Sequence, residues 1–422
     1  MRLFDILTVL IALAAGFSYL NVRFIKLPTT IGVMLIAMLT SLGLIALGSA
    51  GQSFKIEIAR VMHHIDFNET LMHGLLSFLL FAGSIHISLS ELRKEWVSIT
   101  LLAALGTAIS TLVVGGAAWA ALRLLGIDMP IIWCAIFGAL ISPTDPIAVL
   151  GILQKAKAPR SIEIQIAGES LFNDGTCVVI FLILLEIAMG TAEFTFRHTT
   201  VLLLQEVAGG VGIGLILGWL AYQMLLKIDN YQVEVLITLA LAMGVYALAD
   251  RFHLSAPIAV VVAGLLIGNL GRAKAMSPAV EEHLDTFWEL IDEILNAVLF
   301  MMIGLEVLVM QFQRSYLIAG AVAIVVVLAA RWVSVAGIIQ TMKRKRTFEK
   351  GTVRILTWGG LRGGVSVAMA LSLPENDHRK VLIAITYCVV VFSILVQGLS
   401  MGLLVRRIRG KQIVTDQPVL AH

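Results

Sequence analysis

The chain has 422 residues, of which 59% are hydrophobic and only 14% charged, with a formal net charge of +3. A soluble globular domain carries about a quarter charged residues, so the composition excludes one and points to an all-α integral membrane protein with little aqueous mass. The small positive charge gives no reason to expect a nucleic-acid partner, and Cys134, Cys177 and Cys388 lie in apolar runs at no metal-ligand spacing, which argues against a disulfide framework or a zinc site.

Apolar windows of about 17 to 25 residues are long enough to cross a bilayer. They are predicted near 4–22, 30–48, 71–89, 97–121, 130–152, 162–189, 200–226, 233–250, 254–270, 284–309, 315–341, 352–373 and 380–404. The first lacks a distinctly basic n-region and reads as a retained helix rather than a signal peptide. The eighth and ninth are separated only by Asp250-Arg251-Phe252-His253. With the N-terminus outside, nineteen Lys and Arg residues fall in the inner loops and tail against nine outside. That asymmetry predicts about thirteen helices, N-terminus out and C-terminus in. Arg331, Arg354 and Arg362 fall within spans. The Lys343–Arg346 run reads as a topological anchor, with anionic lipid as its alternative partner. His63, His64 and His73 border the longest outer loop without ligand partners, and 411–422 reads as a short cytoplasmic tail with no soluble regulatory domain.

Polar residues interrupt three spans. The fifth carries Ser142-Pro143-Thr144-Asp145-Pro146, whose two prolines remove backbone donors at membrane depth. The twelfth carries Gly359-Gly360-Leu361-Arg362-Gly363-Gly364, equally easy to unwind. They are seven spans apart, so they run in opposite directions, and the same offset maps spans 1–6 onto 8–13 as inverted repeats. Paired interruptions of this kind point to a transporter's midplane site. In the sixth span, Glu169 and Asn173 are four apart, as are Ser170 and Asp174, which sets four polar side chains in adjacent rows of one helix face. Ionisable groups in a span are functional candidates. With Thr144 and Asp145 they form an all-oxygen donor set, suited to a hard cation such as Na+ rather than a transition metal. A single carboxylate neutralised by a proton or a sodium ion in turn would give exchange. Asp174 is assigned that role, and Glu169 a structural ion pair with one of the buried arginines. In the tenth span, Trp288-Glu289 through Asn296 reads as mainly structural, with Asn296 bonding a neighbouring helix; Asn296 and Arg331 are secondary candidates.

These stretches together resemble the NhaP-type sodium/proton antiporters, relatives of the eukaryotic sodium/proton exchangers. The resemblance rests on Ser142–Pro146, Gly168-Glu169-Ser170-Leu171-Phe172-Asn173-Asp174-Gly175, Phe287-Trp288-Glu289, Asn296–Phe300 and Gly359–Ser366, in family order along most of the chain. It implies a thirteen-helix homodimer in a bacterial inner membrane. A moving core near 97–189 and 315–404 would work against an interface domain near 1–96 and 200–309. It further implies Asp174 and Asp145 as ion-site acids, Ser170 and Thr144 as oxygen ligands, Asn173 as a site-shaping amide, and Arg362 as the partner of Glu169. The Asn173-Asp174 pair, in place of two aspartates, resembles the electroneutral branch. One departure is the third span, Leu80-Phe81-Ala82-Gly83-Ser84-Ile85-His86, which lacks the acid many relatives carry there; His86 reads as a solvated helix-end residue.

The expected function is exchange of Na+, with Li+, for H+, without a cofactor and without enzymatic activity. Potassium/proton exchange is the alternative within transport, and a passive cation channel the alternative outside it. No His-Glu-x-x-His motif supports an intramembrane enzyme.

Overall fold

The computed structural model describes residues 3–47, 74–190, 196–308, 313–344 and 346–415, and among them there are helices and no strand. His63, His64, His73 and Lys345 lie outside the described residues. The helices are α1 Leu3–Leu20, α2 Thr29–Ala46 and α3 Leu76–Ile85, then α4 Leu89–Leu124, α5 Ile131–Leu140, α6 Ile147–Lys155, α7 Arg160–Ala188, α8 Phe196–Leu225 and α9 Tyr231–Arg251. They continue with α10 Ala256–Lys274, α11 Pro278–Leu305, α12 Arg314–Met342, α13 Thr352–Trp358 and α14 Gly364–Leu371, and end with α15 Arg379–Ile408.

Every predicted window therefore holds helix. Among the described residues, nine helices are long and apolar enough to cross a membrane by length and composition. The other four windows hold the short apolar α3, the interrupted pairs α5/α6 and α13/α14, and α11, which carries six acids up to Glu293. The chain is a multi-pass membrane protein. Proline sets several starts: Pro28, Pro130 and Pro159 immediately precede α2, α5 and α7, and Pro257 and Pro278 sit in the first turns of α10 and α11. There the missing N–H costs no helical hydrogen bond. The narrow division between the eighth and ninth windows is a true reversal, closed by His253 in the left-handed region at φ 53°.

Three apolar cores hold the bundle. One joins α1, α2, α5, α12, α14 and most of α15 to the later turns of α4, α7 and α11. A second joins α3, α8, α9 and α10 around Trp288 of α11. That indole packs on Phe81, ring centroids 4.6 Å apart, and donates to Thr238 Oγ1 at 3.1 Å. The third gathers α6, α13, the first turns of α7 and the far ends of α12 and α15. The two helix interruptions lie where the first and third cores meet, so their freed backbone groups face each other rather than lipid.

Candidate functional site

Pro143 and Pro146 bracket the gap between α5 and α6. Helices cannot bridge it because each proline lacks a donor and crowds the preceding turn. The carbonyls left over must find partners inside the protein. Arg362 supplies them: its Nη1 donates to the carbonyls of Ser142 at 2.5 Å and Pro143 at 3.0 Å. The exchange runs both ways. Asp145 N–H donates to the carbonyl of Leu361 at 2.7 Å, in the gap between α13 and α14. A π-helical turn of α15, Ser393–Gly398, completes the accounting. Ser393 Oγ accepts from Arg362 N–H at 2.9 Å, and Gln397 Nε2 donates to the carbonyl of Trp358 at 3.0 Å. Local π turns recur at functional sites. Sequence reading missed Ser393 and Gln397, although a polar pair four apart in an apolar span was the available signal.

Two glycines make the approach feasible. A Cβ on Gly363 would lie 2.3 Å from Asp145 Oδ2, and one on Gly360 would lie 2.7 Å from Arg331 Nε. Both distances are below contact, so a side chain at either position would displace a charged group.

The second close approach leads to a correction. Arg362 was expected to pair with Glu169, but the partner of Glu169 is Arg331 of α12. Its fork binds both carboxylate oxygens, Nη2 to Oε2 at 2.8 Å, and Nη2 also donates to the carbonyl of Leu356 at 3.2 Å. The physical reason is geometric. Arg331 projects from a regular helix past the bare Gly360 and meets the carboxylate edge-on, the arrangement a guanidinium fork favours. Arg362 belongs to the unwound segment itself and is already held by the carbonyls beside it. Both Glu169, 1% exposed, and Arg362, 2% exposed, are fully buried.

Farther along α7, the remaining predicted residues come together. Thr144 Oγ1 lies 2.9 Å from Ser170 Oγ. Asn173 grips Thr144 at two points: its Nδ2 donates to Thr144 Oγ1 at 2.8 Å, and its Oδ1 accepts from Thr144 N–H at 3.4 Å. Asp174 is 8% exposed and has no hydrogen-bond or ion-pair partner among the described residues. Asp145, half-buried, is close enough for the two carboxylates to repel.

Ser170, Asp174, Thr144 and Asp145 line a cavity of about 400 Å³. Its mouth lies among His86, Glu91, Gln154 and Arg160, at the end of the bundle that carries the basic 155–160 loop. One and two turns beyond Asp174 on α7, Val178 and Phe181 are buried in the first apolar core. The α11 wall adds Glu289, Asp292 and Asn296. Asn296 does not bond a neighbouring helix, as expected, but donates from Nδ2 to the carbonyl of Asp292, one turn back on its own helix, at 2.8 Å. Asp292 was not singled out in the sequence, because an acid in an acidic helix start carries no distinguishing signal.

His86 ends α3 and is about one-third exposed, with Nδ1 3.4 Å from Asp285 Oδ1 and also 3.4 Å from Arg272 Nη2. Burial holds its pKa below the ordinary value, only partly opposed by the charge of Asp285. Among the described residues no group of three or more His, Cys, Asp or Glu could hold a metal ion. The site's donors are hydroxyl, carboxylate and carbonyl oxygens, which select hard cations.

Comparison with known proteins agrees with this chemistry. Residues 7–407 match the model of the family described as sodium/hydrogen exchanger, transmembrane. The chain is 50% identical over 413 residues to the Na(+)/H(+) antiporter NhaP of Pseudomonas aeruginosa, covering 97% of each chain. It is 32% identical to the Na(+)/H(+) antiporter NhaH of Halobacillus aidingensis, covering 95% of this chain and 97% of that one. The fold matches the sodium proton antiporter MjNhaP1 from Methanocaldococcus jannaschii at pH 8, with a TM-score of 0.76 at 17% identity, over 97% of this chain and all of that one. With the family model spanning nearly its whole length and a half-identical relative covered end to end, the chain belongs to the sodium/hydrogen exchanger family.

Proposed function

We propose that the protein exchanges Na+, and Li+, for H+ one for one, by alternating access to the Asp174–Asp145 site. The observation that carries this reading is Asp174: a buried carboxylate without a partner among the described residues, lining a cavity that reaches exposed residues at one end of the bundle. The arginines nearby are engaged, Arg331 by Glu169 and Arg362 by backbone carbonyls. A buried anion left uncompensated is unfavourable, so Asp174 takes up either a proton or a cation. Ser170 and Thr144 oxygens, with Asp145, replace part of the water that a sodium ion loses on entry. The two ligands exclude each other, and the loss of one with the arrival of the other leaves the charge unchanged. Asn173 supports the one-for-one count, because a neutral amide stands beside the exchanging acid and is occupied in holding Thr144.

The wider frame is proposed with it. Thirteen crossings in two inverted repeats place the N-terminus outside, which puts the cavity mouth on the cytoplasmic side of a plasma membrane. In a homodimer, the segments near 97–189 and 315–404 move against those near 1–96 and 200–309 and carry the site across. In proteoliposomes holding an acid-inside pH gradient, external Na+ should dissipate the gradient between about pH 6 and 9. Clamping the membrane potential should leave the rate unchanged if exchange is electroneutral. Absence of any response to Na+, Li+ or K+ refutes antiport, a response to K+ alone transfers the reading to potassium, and current without proton counterflow establishes a channel.

A further inference from the structure

Glu289, Asp292 and Asn296 of α11 share one face of that helix and line the same cavity as Asp174. Asn296 is 2% exposed, and its Oδ1 has no hydrogen-bond partner among the described residues. The amide nitrogen donates to Asp292, to its carbonyl at 2.8 Å and to its carboxylate, which holds the group on its own helix and leaves the acceptor at the cavity wall. A buried acceptor without a donor is unfavourable, and such groups in native proteins call for an explanation. The surroundings supply carboxylates, which have no proton to offer when ionised. Asp292 is half-buried one turn away, and close enough to Asp145 for their charges to interact. An acceptor oxygen beside an acid, facing a cavity lined by further acids, is satisfied by a positive ion.

We propose that the Asp292 carboxylate and Asn296 Oδ1 form a second oxygen station for an alkali cation, on the α11 wall between the cavity mouth and Asp174. The inference rests on the antiport reading and deepens it. A hydrated cation exchanges part of its water for these two oxygens before it moves on to Ser170 and Asp174 on the α7 wall. The station also accounts for a gap in the cavity, since the α3 wall contributes Ala82 and Gly83 without a carboxylate. In this arrangement the station governs how readily the cation is collected, and Asp174 governs whether exchange occurs at all.

The test uses the full-length protein, with Na+ as probe, in two measurements. In proteoliposomes, Asp292→Asn and Asn296→Ala should each raise the half-saturating Na+ concentration about tenfold while the maximal rate changes less than about twofold. In detergent, the midpoint is taken as the Na+ concentration that gives a fixed rise in melting temperature, and it should increase by a similar factor, about tenfold, because stabilisation by binding depends on the ratio of Na+ concentration to the dissociation constant. Asp292→Glu should restore both midpoints to within about threefold. Glu289→Gln, nearer the mouth, should move them less than about twofold. If Asn296→Ala fails to fold, Asp292→Asn carries the test alone. Unchanged midpoints in folded Asp292→Asn overturn the station, and so do equal shifts in Asp292→Asn and Glu289→Gln, which would reduce the effect to the general field of the acids. A wild-type protein without Na+-driven proton movement overturns the antiport reading instead, so the two failures are distinguishable.

Discussion

Glu169 and Asp174 are the same kind of chemical group, five residues apart on one helix, and both are buried. Glu169 meets a forked guanidinium and has its charge cancelled inside the protein. Asp174 meets a cavity that leads out to one side of the bundle. A carboxylate that already holds its cation has nothing to exchange, whereas one that lacks it must borrow a proton or an ion from outside. Burial alone therefore does not identify a transport residue. What separates the two is the identity of the nearest positive charge and whether it is covalently part of the chain.

The sharpest way to break this comparison is Asp174→Asn. Exchange should disappear while the variant folds and melts at or above the wild-type temperature, because a neutral amide replaces a partnerless buried acid. Retained Na+-driven proton movement would remove Asp174 from the mechanism. Glu169→Ala should do the reverse. Leaving Arg331 buried and uncompensated costs about 3–5 kcal/mol, read as a lower melting temperature or loss of folded protein. Adding Arg331→Met in the same chain should recover most of that loss, since an apolar pair often matches a buried ion pair. Gly360→Ala sharpens the same pair from the side. Its methyl group would press on the Arg331 guanidinium, for an expected cost of about 1–3 kcal/mol in thermal denaturation.

The smallest effect is expected at His86. Its pKa in the folded protein lies below the unfolded value of about 6.5, so folding favours the neutral ring. The stability it contributes is complete above about pH 6.5 and is lost as pH falls through the lower folded value. His86→Gln should change melting above neutrality by less than about 0.5 kcal/mol and lessen the loss on the acid side. A pH–rate profile displaced at pH 8 by this substitution would give His86 a part in exchange itself.

Much of this was legible in the sequence because the bilayer imposes length and polarity on each helix separately. The windows, the break at Ser142–Pro146, the glycine-rich interruption and the polar face of α7 are all properties of short stretches. The pairing of distant charges is not. Glu169 is 162 residues from Arg331 and 193 from Arg362, and the order of helices gives both arginines access to the same neighbourhood. The choice depends on how far α12 can press against the α13–α14 gap, which Gly360 decides through a side chain it lacks. Asn296 is a similar case. Its donor turned back along its own helix, and only the position of the cavity reveals what its oxygen faces.

The bonds that link the two helix interruptions also have a consequence for how the molecule is made. The carbonyls of Ser142 and Pro143 and the amide of Asp145 find their partners in Leu361 and Arg362, more than 200 residues later. During synthesis the chain runs N-terminal first, so the first interruption enters the membrane before the residues that will satisfy it exist. Until Leu361 and Arg362 have emerged, water or other transient partners must occupy those groups, because bare backbone is not tolerated in hydrocarbon. The candidate site is thus one of the last parts to reach its final form, and a chain ending before Gly359 would carry Asp174 without the residues that bind the backbone groups beside it.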